Sequence, residues 1–399
     1  MLDSHHPNPL TRFILLYAAM YAAFGVASPF LPSFLSARGL PPEQLGLMLG
    51  TGTAVRLLTA PLAGRIGDLI QALRVVLVIC TALAALATLG YLAAHDLWIL
   101  LGVSLLHAAA LAPITILADA LALGSATPPA HSPRRGFEYG WVRGTGSGVF
   151  IIGTLLSGLA VSSFGLDIII WLQALLLGIA ASAGILVPEL IHDRTTAVVR
   201  SPAGGVRILL RLPQFRNLVI VASLILGSHA MHDAFAVIRW SAAGISPATA
   251  SLLWSESVAA EVFVFFVIGP ALVNRLTPAG ALGTAAVAGI LRWTVAAQTT
   301  DVIALGLIQP LHGISFALLH LACMHLIARI VPQGLEGTAQ AIYGTVGIGA
   351  ASALLTFVSG ALYARLGAQG FWVMAALCAF AVPMTWKLRE PRFGASRIQ

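Results

Sequence analysis

Residues 37–56 read ARGLPPEQLGLMLGTGTAVR and residues 242–261 read AAGISPATASLLWSESVAAE; a displacement of 205 lays one over the other without a gap and carries Arg56 onto Glu261. Gly39 meets Gly244, Pro42 meets Pro247 and, beyond the quoted stretch, Gly64 meets Gly269. The same displacement brings Leu106-His107 onto Leu311-His312, and at 202 Ser157-Gly158 meets Ser359-Gly360. One shared Gly or Leu carries little information. A displacement common to several segments points to a duplicated chain.

Both copies sit in apolar sequence. Of 399 residues, 58% are hydrophobic and 9% charged, and mean hydropathy is +0.91. Soluble domains average about 25% charged residues. So few charges cannot cover a water-facing surface, which argues against a soluble enzyme. The formal net charge of +7 does not restore a nucleic-acid partner, because its basic residues, all arginine except Lys387, fall between apolar runs and form no patch. Cys80, Cys323 and Cys378 stand singly in apolar runs, so neither a disulfide framework nor a zinc site is expected. Residues 1–12 lead into an apolar run too long for a signal h-region and without a small-residue cleavage site, so that run is expected to remain as a membrane helix.

A bilayer core needs roughly 20 apolar residues per helix. Twelve such runs are legible, at 10–36, 43–66, 73–94, 96–124, 137–163, 166–188, 214–241, 247–274, 278–299, 302–329, 335–364 and 369–388; they are called spans 1 to 12 below. Breaks such as Arg38–Pro42 and Thr127–Arg135 separate them, and the longest, Glu189–Pro213, divides six from six. With the N-terminus in the cytoplasm, sixteen basic residues fall on that side: Arg12, Arg65, Arg74, Arg134, Arg135, Arg194, Arg200, Arg207, Arg211, Arg216, Arg275, Arg329, Lys387, Arg389, Arg392 and Arg397. Arg38 and Arg365 fall on the other. That asymmetry sets the expected orientation, with both termini cytoplasmic. The expected fold is an all-α membrane protein with twelve transmembrane helices in two pseudo-symmetric six-helix bundles. The expected domains are 1–188, a cytoplasmic linker at 189–213, and 214–399. In parallel-repeat transporters of this layout the solute lies near the midplane between halves that rock about it.

A charge at the bilayer centre costs about 2.5 kcal/mol or more, and the spans hold Arg56, Asp119, Arg143, Asp233, Arg239, Glu256, Glu261 and Arg292. Rise per residue, about 1.5 Å, gives their depths. Asp119 and Arg143 come out at similar depth, a pair in the first half that Arg56 joins or competes for. Glu261 and Arg292 both come out near the middle, with His312 and His229 alongside. His229, His232 and Asp233 share one helix face by their i, i+3, i+4 spacing. Zinc or iron binding there is chemically possible, but a hydrogen-bonding cavity face is the expected reading. For an acid at midplane, desolvation favours the neutral form and a nearby Arg the charged form. That competition suits proton coupling, with Glu261 as carrier, Arg292 as partner, and His312, His320 and Asp233 as further candidates. Glu256 is set apart from Glu261 around its helix. His325 lies near a span end.

GRIGDLIQALR (64–74) resembles a degraded Gly-x-x-x-Asp-Arg-x-Gly-Arg-Arg loop of the major facilitator superfamily. Gly64, Asp68 and Arg74 match as gating-loop residues, while Leu69 and Gln71 stand where Arg and Gly are usual. GSHAMHDAF (227–235), LLWSESVAAEVFVFF (252–266), GILRW (289–293), LIQPLHGISFALLHLACMH (307–325), SGALYARLGAQGFWVMAAL (359–377) and EYGWVRGTGSGVFIIG (138–153) together resemble the phenylpropionate permease group, near the lactose and nucleoside proton symporters. That resemblance implies proton-coupled import. It maps the group's span 8 acid, span 9 Arg and span 10 His onto Glu261, Arg292 and either His312 or His320. It places Asp119 and Arg143 where related sugar symporters hold their solute. His232-Asp233 stands where relatives tend to be aromatic, which puts phenylpropionate itself in question.

Tyr17, Tyr21, Phe24, Trp141, Trp240 and Trp254 offer rings for stacking or for helix packing, and Arg143, Arg56 and Arg292 suit a carboxylate. The substrate-binding set is therefore Asp119, Arg143, Arg56, Tyr21, Phe24, His229, His232, Glu256 and Trp254. An aromatic carboxylate is the first expectation, with a sugar or nucleoside close behind. Alternatives are a proton-driven efflux antiporter, disfavoured by a span 5 that is Gly-rich but lacks Pro, and a non-transporting membrane sensor. No Ser/His/Asp cluster, His-Glu-x-x-His or phosphate-cradling loop suggests an enzyme. No cofactor or metal is expected. The expected partners are a small molecule, protons and the lipid bilayer, with no nucleic acid. A monomer in a bacterial inner membrane is expected, the bacterial source being read from the Arg- and Ala-rich composition.

Overall fold

The computed structural model describes residues 8–126, 136–189 and 202–388. Arg134, Arg135, Arg194, Arg200, Arg389, Arg392 and Arg397, and residues 190–201 of the 189–213 linker, lie outside the described residues. All the regular structure among the described residues is helical. Ten continuous helical segments are long and apolar enough to cross a membrane, and two of them, Pro247–Gln298 and Glu336–Trp386, run 52 and 51 residues. Each of those two holds a pair of crossings, which makes twelve.

Local chemistry shows where the long segments turn. Spans 8 and 9 are separated at Thr277, which has φ 63 and ψ 156; its Oγ1 accepts from Gly280 N at 3.3 Å while Pro278 opens span 9. Spans 11 and 12 are separated by the turn Gly367–Gly370, and Gly367 has φ 53. Three predicted spans are broken internally. Span 1 is Pro9–Ala27 followed by Leu31–Ala37, with Pro29 and Pro32 at the break. Span 7 is Pro213–Gly227 followed by Ala230–Ala242. Span 10 is Val302–Ile308, then a wide-turn π segment Gly313–Leu318, then Leu319–Ile330, with Pro310 at the break. A Pro lacks the N–H that would continue the ladder, and π turns gather at functional sites.

The chain packs as two compact units, Met1–Ala197 with Ala234–Ser255, and Val198–Asp233 with Glu256–Gln399. The division falls inside spans 7 and 8. In the first unit span 1 packs on spans 5 and 6, span 3 on spans 4 and 6, and span 2 on span 4. In the second, span 7 packs on spans 11 and 12, span 9 on spans 10 and 12, and span 8 on span 10. The pairing scheme is the same six positions later, as duplication requires.

Glycines set the closest approaches. A Cβ on Gly25 would stand 2.3 Å from Phe150 O, and one on Gly153 2.9 Å from Ala22 O. Spans 1 and 5 therefore touch backbone to backbone, and Thr154 Oγ1 donates to Gly25 O at 3.0 Å across the seam. Of the glycines in span 5, Gly146 and Gly153 serve this packing.

Candidate functional site

In the first unit, Asp119 on span 4 is held by two phenols. The hydroxyl of Tyr17 donates to Oδ1 in a close contact, and that of Tyr139 does so at 2.8 Å. The expected Asp119–Arg143 ion pair is absent from the described residues. Equal depth places two residues at one height and says nothing of their angle around the helices, and the tyrosines occupy the carboxylate. The guanidinium of Arg143 instead lies 5.2 Å from the ring centre of Tyr21, and its buried Nη1 has no hydrogen-bond partner among the described residues. Tyr21 stacks on Tyr17 at 5.8 Å and meets Phe24 edge-on at 5.5 Å. Gly146 makes room for it, since a Cβ there would stand 2.9 Å from the Tyr21 ring. Arg56 makes no ion pair with Asp119 among the described residues and is exposed. Trp254 is buried.

The second unit holds a longer chain of polar groups, and it forms where helices are interrupted. Gln309 and His312 flank the Pro310 break of span 10, Ser315 lies in the following π turn, and His229 lies at the break of span 7. Gly313 lets the backbone of span 10 lie against span 8: a Cβ there would stand 2.5 Å from Ala260 O. Glu261, next along, reaches His312 Nε2 with Oε2 at 3.3 Å. Arg292 of span 9, 1% exposed, points Nη1 at His312 Nδ1 (3.2 Å) and Ser315 Oγ (3.3 Å), and Nη2 at Gln309 Oε1 (3.4 Å). The expected direct Glu261–Arg292 pair is thus replaced by a bridge through His312.

The donor rules fix the protons. Arg can only donate, so His312 Nδ1 accepts and Nε2–H is directed at Glu261. His229 Nδ1 lies 3.0 Å from Ile225 O, which can only accept, so the His229 proton sits there. Its Nε2 is 3.1 Å from Ser315 Oγ and takes that hydroxyl proton. The His229 and His312 rings meet edge-on at 5.3 Å, and Trp293 meets His229 at 5.1 Å. Trp293 Nε1 donates to Ser228 Oγ at 2.8 Å. The residues that depth alone grouped, Glu261, Arg292, His312 and His229, are brought together.

Other candidates stand apart. His320 Nδ1 is 3.1 Å from the Tyr343 hydroxyl, so His312 rather than His320 bridges Glu261 and Arg292. His232 Nδ1 faces Asp233 Oδ1 at 3.5 Å; the His232 side chain is 8% exposed and that of Asp233 61%. Asp233 is exposed although Met231, His232, Ala234 and Phe235 around it are buried. Glu256 is half-buried with no ion-pair partner among the described residues. No group of three or more His, Cys, Asp or Glu suited to a metal occurs among the described residues.

In the loop between spans 2 and 3, Arg74 N donates to Glu189 Oε1 at 3.0 Å, its Nε lies 3.6 Å from Oε2, and Nη1 reaches Val187 O at 3.3 Å. It ties the start of span 3 to the end of span 6. Asp68 is exposed, and Gly64 has open space beside it. The close approach at this turn is made at Gly67, where a Cβ would stand 2.6 Å from the Leu73 Cδ2 methyl. Sequence reasoning missed it, together with Tyr139, Gln309 and Ser315. The available signals were Pro310 and Gly313, which mark span 10 as interrupted.

Twelve apolar crossings, a repeated pairing scheme and ionisable groups clustered at helix breaks define a multi-pass membrane transporter of the major facilitator fold, a class of proteins that are not enzymes. The MFS_1 like family model matches residues 10–374, and the chain belongs to that family. It is 35% identical over 377 residues to a probable 3-phenylpropionic acid transporter of Escherichia coli (strain K12), covering 92% of this chain and 94% of that one. It is 24% identical over 369 residues to a maltose permease of Geobacillus stearothermophilus, covering 92% and 91%. Among solved structures, a point-mutant form of the nucleoside transporter NupG superposes with a TM-score of 0.84 at 16% identity, covering 96% of this chain and all of that one. A bacterial homolog of the human lysosomal transporter Spinster gives 0.69 at 14% identity, covering 96% and 98%.

Proposed function

We propose that this protein imports a small aromatic carboxylate together with protons, by alternating access, as a monomer in a bacterial inner membrane with both termini cytoplasmic. Residues 1–188 and 214–399 are its two functional halves. The observation that carries the carboxylate is Arg143. Its natural acid, Asp119, is taken by Tyr17 and Tyr139, and a buried guanidinium N–H is left without an acceptor. Leaving such a donor unpaired costs roughly 1–3 kcal/mol. An incoming carboxylate relieves that cost, and Tyr21 and Phe24 offer ring faces beside it. The name of the Escherichia coli relative agrees with this class.

Proton coupling rests on the chain Glu261–His312–Arg292. The Glu261 side chain is 27% exposed, while Arg292 is buried. Protonating His312 at Nδ1 would set two donors against each other and expel Arg292 from that contact. Proton uptake and Arg292 position are therefore linked. A sugar or nucleoside solute is the second reading, supported by the maltose permease relative and by the polar His232–Asp233 pair.

The test is uptake into proteoliposomes of 3-phenylpropionate, maltose and a nucleoside, with and without an imposed proton gradient. Gradient-driven accumulation of 3-phenylpropionate whose KM rises about tenfold or more in Arg143→Gln supports the first reading. Accumulation of maltose or the nucleoside alone supports the second, and proton-driven expulsion of solute contradicts import.

A further inference from the structure

The proton chain of the second unit runs through a neutral side chain that the coupling reading does not use. Ser315 is fully buried, and three partners converge on its Oγ: Arg292 Nη1 at 3.3 Å, His229 Nε2 at 3.1 Å and the carbonyl of His312 at 3.4 Å. A hydroxyl has one proton and two lone pairs. Arg292 takes one lone pair. The proton has two acceptors to choose between, and His229 decides which it uses.

While His229 is neutral, its proton is committed to Ile225 O, so Nε2 is an acceptor and the hydroxyl points to it. When His229 gains a second proton at Nε2, that N–H needs an acceptor. Ser315 Oγ supplies its second lone pair, and the hydroxyl proton rotates to His312 O. Both states are then fully hydrogen-bonded, and the change between them is one rotation about the Ser315 Cβ–Oγ bond. The exchange needs a hydroxyl: Ala has no partner to give, and a carboxamide has separate donor and acceptor atoms.

We propose that Ser315 is the positioning residue of the proton chain, an Oγ rotor that answers the protonation state of His229 Nε2 and holds Arg292 toward His312. The π turn Gly313–Leu318 is what sets Ser315 at this meeting point. The charged and titratable groups facing His229 are Arg292 and His312 across the interface, His232 and Asp233 on its own span, and Cys378, which contacts Ser228 at 3.3 Å. Ser315 itself brings no charge and sets only geometry, which separates its effect from theirs.

This inference rests on the proton-coupled reading for its consequence but not for its geometry, and the experiment uses that distinction. In full-length protein labelled with ¹⁵N-histidine, the His229 Nε2 resonance is followed with pH in the wild type, Ser315→Ala and Ser315→Thr. In parallel, proton-driven uptake of 3-phenylpropionate is measured against pH. Removing the hydroxyl moves the Nε2 resonance of His229 toward that of an unbonded nitrogen, and uptake at the optimum falls about tenfold, the scale of one buried hydrogen bond. Ser315→Thr, which keeps the hydroxyl, restores the resonance. A resonance and a pH profile unchanged in Ser315→Ala overturn the proposal, as does a Ser315→Thr protein whose His229 matches Ser315→Ala. Wild-type uptake that ignores the gradient contradicts the coupled reading instead, and the resonance still decides the role of Ser315.

Discussion

His107 and His312 occupy the same place in the repeat and have opposite surroundings. His107 is 2% exposed, meets Tyr91 edge-on at 5.5 Å and has Gln173 Nε2 3.4 Å from its Nε2. It is a satisfied packing residue. His312 stands between a buried Arg and a half-exposed Glu. The displacement of 205 shows why. It sets Arg56 against Glu261, Ala87 against Arg292, Ser104 against Gln309 and Ala110 against Ser315. The charged partners of the proposed proton chain at His312 are reversed, at Arg56, or missing, at Ala87, around His107. A duplicated scaffold thus keeps a histidine in both copies with different neighbours. The two arginines differ as well: Nη1 of Arg143 has no hydrogen-bond partner among the described residues, whereas both Nη groups of Arg292 reach neutral partners, His312, Ser315 and Gln309, and its Nε is the group left without one.

Replacing both histidines by leucine breaks or sharpens this contrast most strongly. His312→Leu should reduce proton-driven accumulation at least about a hundredfold, the low end for losing a general acid–base group. His107→Leu should leave accumulation within about twofold and lower thermal stability by about 1 kcal/mol, since only Gln173 loses a partner. Equal losses in both variants would make the histidines equivalent and remove the distinction between the units. Next in size is Arg143→Gln, expected to raise the KM for 3-phenylpropionate by about tenfold to a hundredfold, as loss of a charged hydrogen bond of roughly 1.5–3 kcal/mol implies. The same variant measured with a solute that lacks a carboxylate should show little change.

Smaller effects compare the seams. A Cβ on Gly25 meets the carbonyl of Phe150, whereas one on Gly227 would stand 2.4 Å from the tip of Leu355. A backbone cannot step aside and a leucine methyl can. Gly25→Ala should cost about 2–3 kcal/mol and Gly227→Ala less than about 1 kcal/mol, read as the melting temperature of the detergent-solubilised protein. Smallest is Gln71→Gly. Gln71 adopts φ 53 and ψ 40, a left-handed position where the related loop has Gly. Relieving it should stabilise the protein by up to about 1 kcal/mol.

The number of crossings and the mid-membrane grouping of Glu261, Arg292, His312 and His229 were legible in the sequence, because hydropathy counts length and rise per residue counts depth. Partner choice was not. Depth carries no azimuth, so Asp119 was expected to bind Arg143 when two tyrosines reach it first, and Glu261 was expected to bind Arg292 when His312 stands between them. A search for charges also passes over neutral groups, which is how Ser315, Gln309 and Tyr139 escaped notice. Motif spacing selects Gly64, which has open space beside it, whereas the close approach to Leu73 is made at Gly67. The breaks in spans 1, 7 and 10 were hidden inside continuous apolar runs, although Pro29, Pro32 and Pro310 mark two of the three.

The most direct measurement is 3-phenylpropionate accumulation by Glu261→Gln in proteoliposomes under an imposed proton gradient. The amide keeps the shape and still accepts from His312, but it cannot gain and release a proton. The account predicts that the variant equilibrates solute at most and never concentrates it. Accumulation against the gradient at the wild-type level would contradict it.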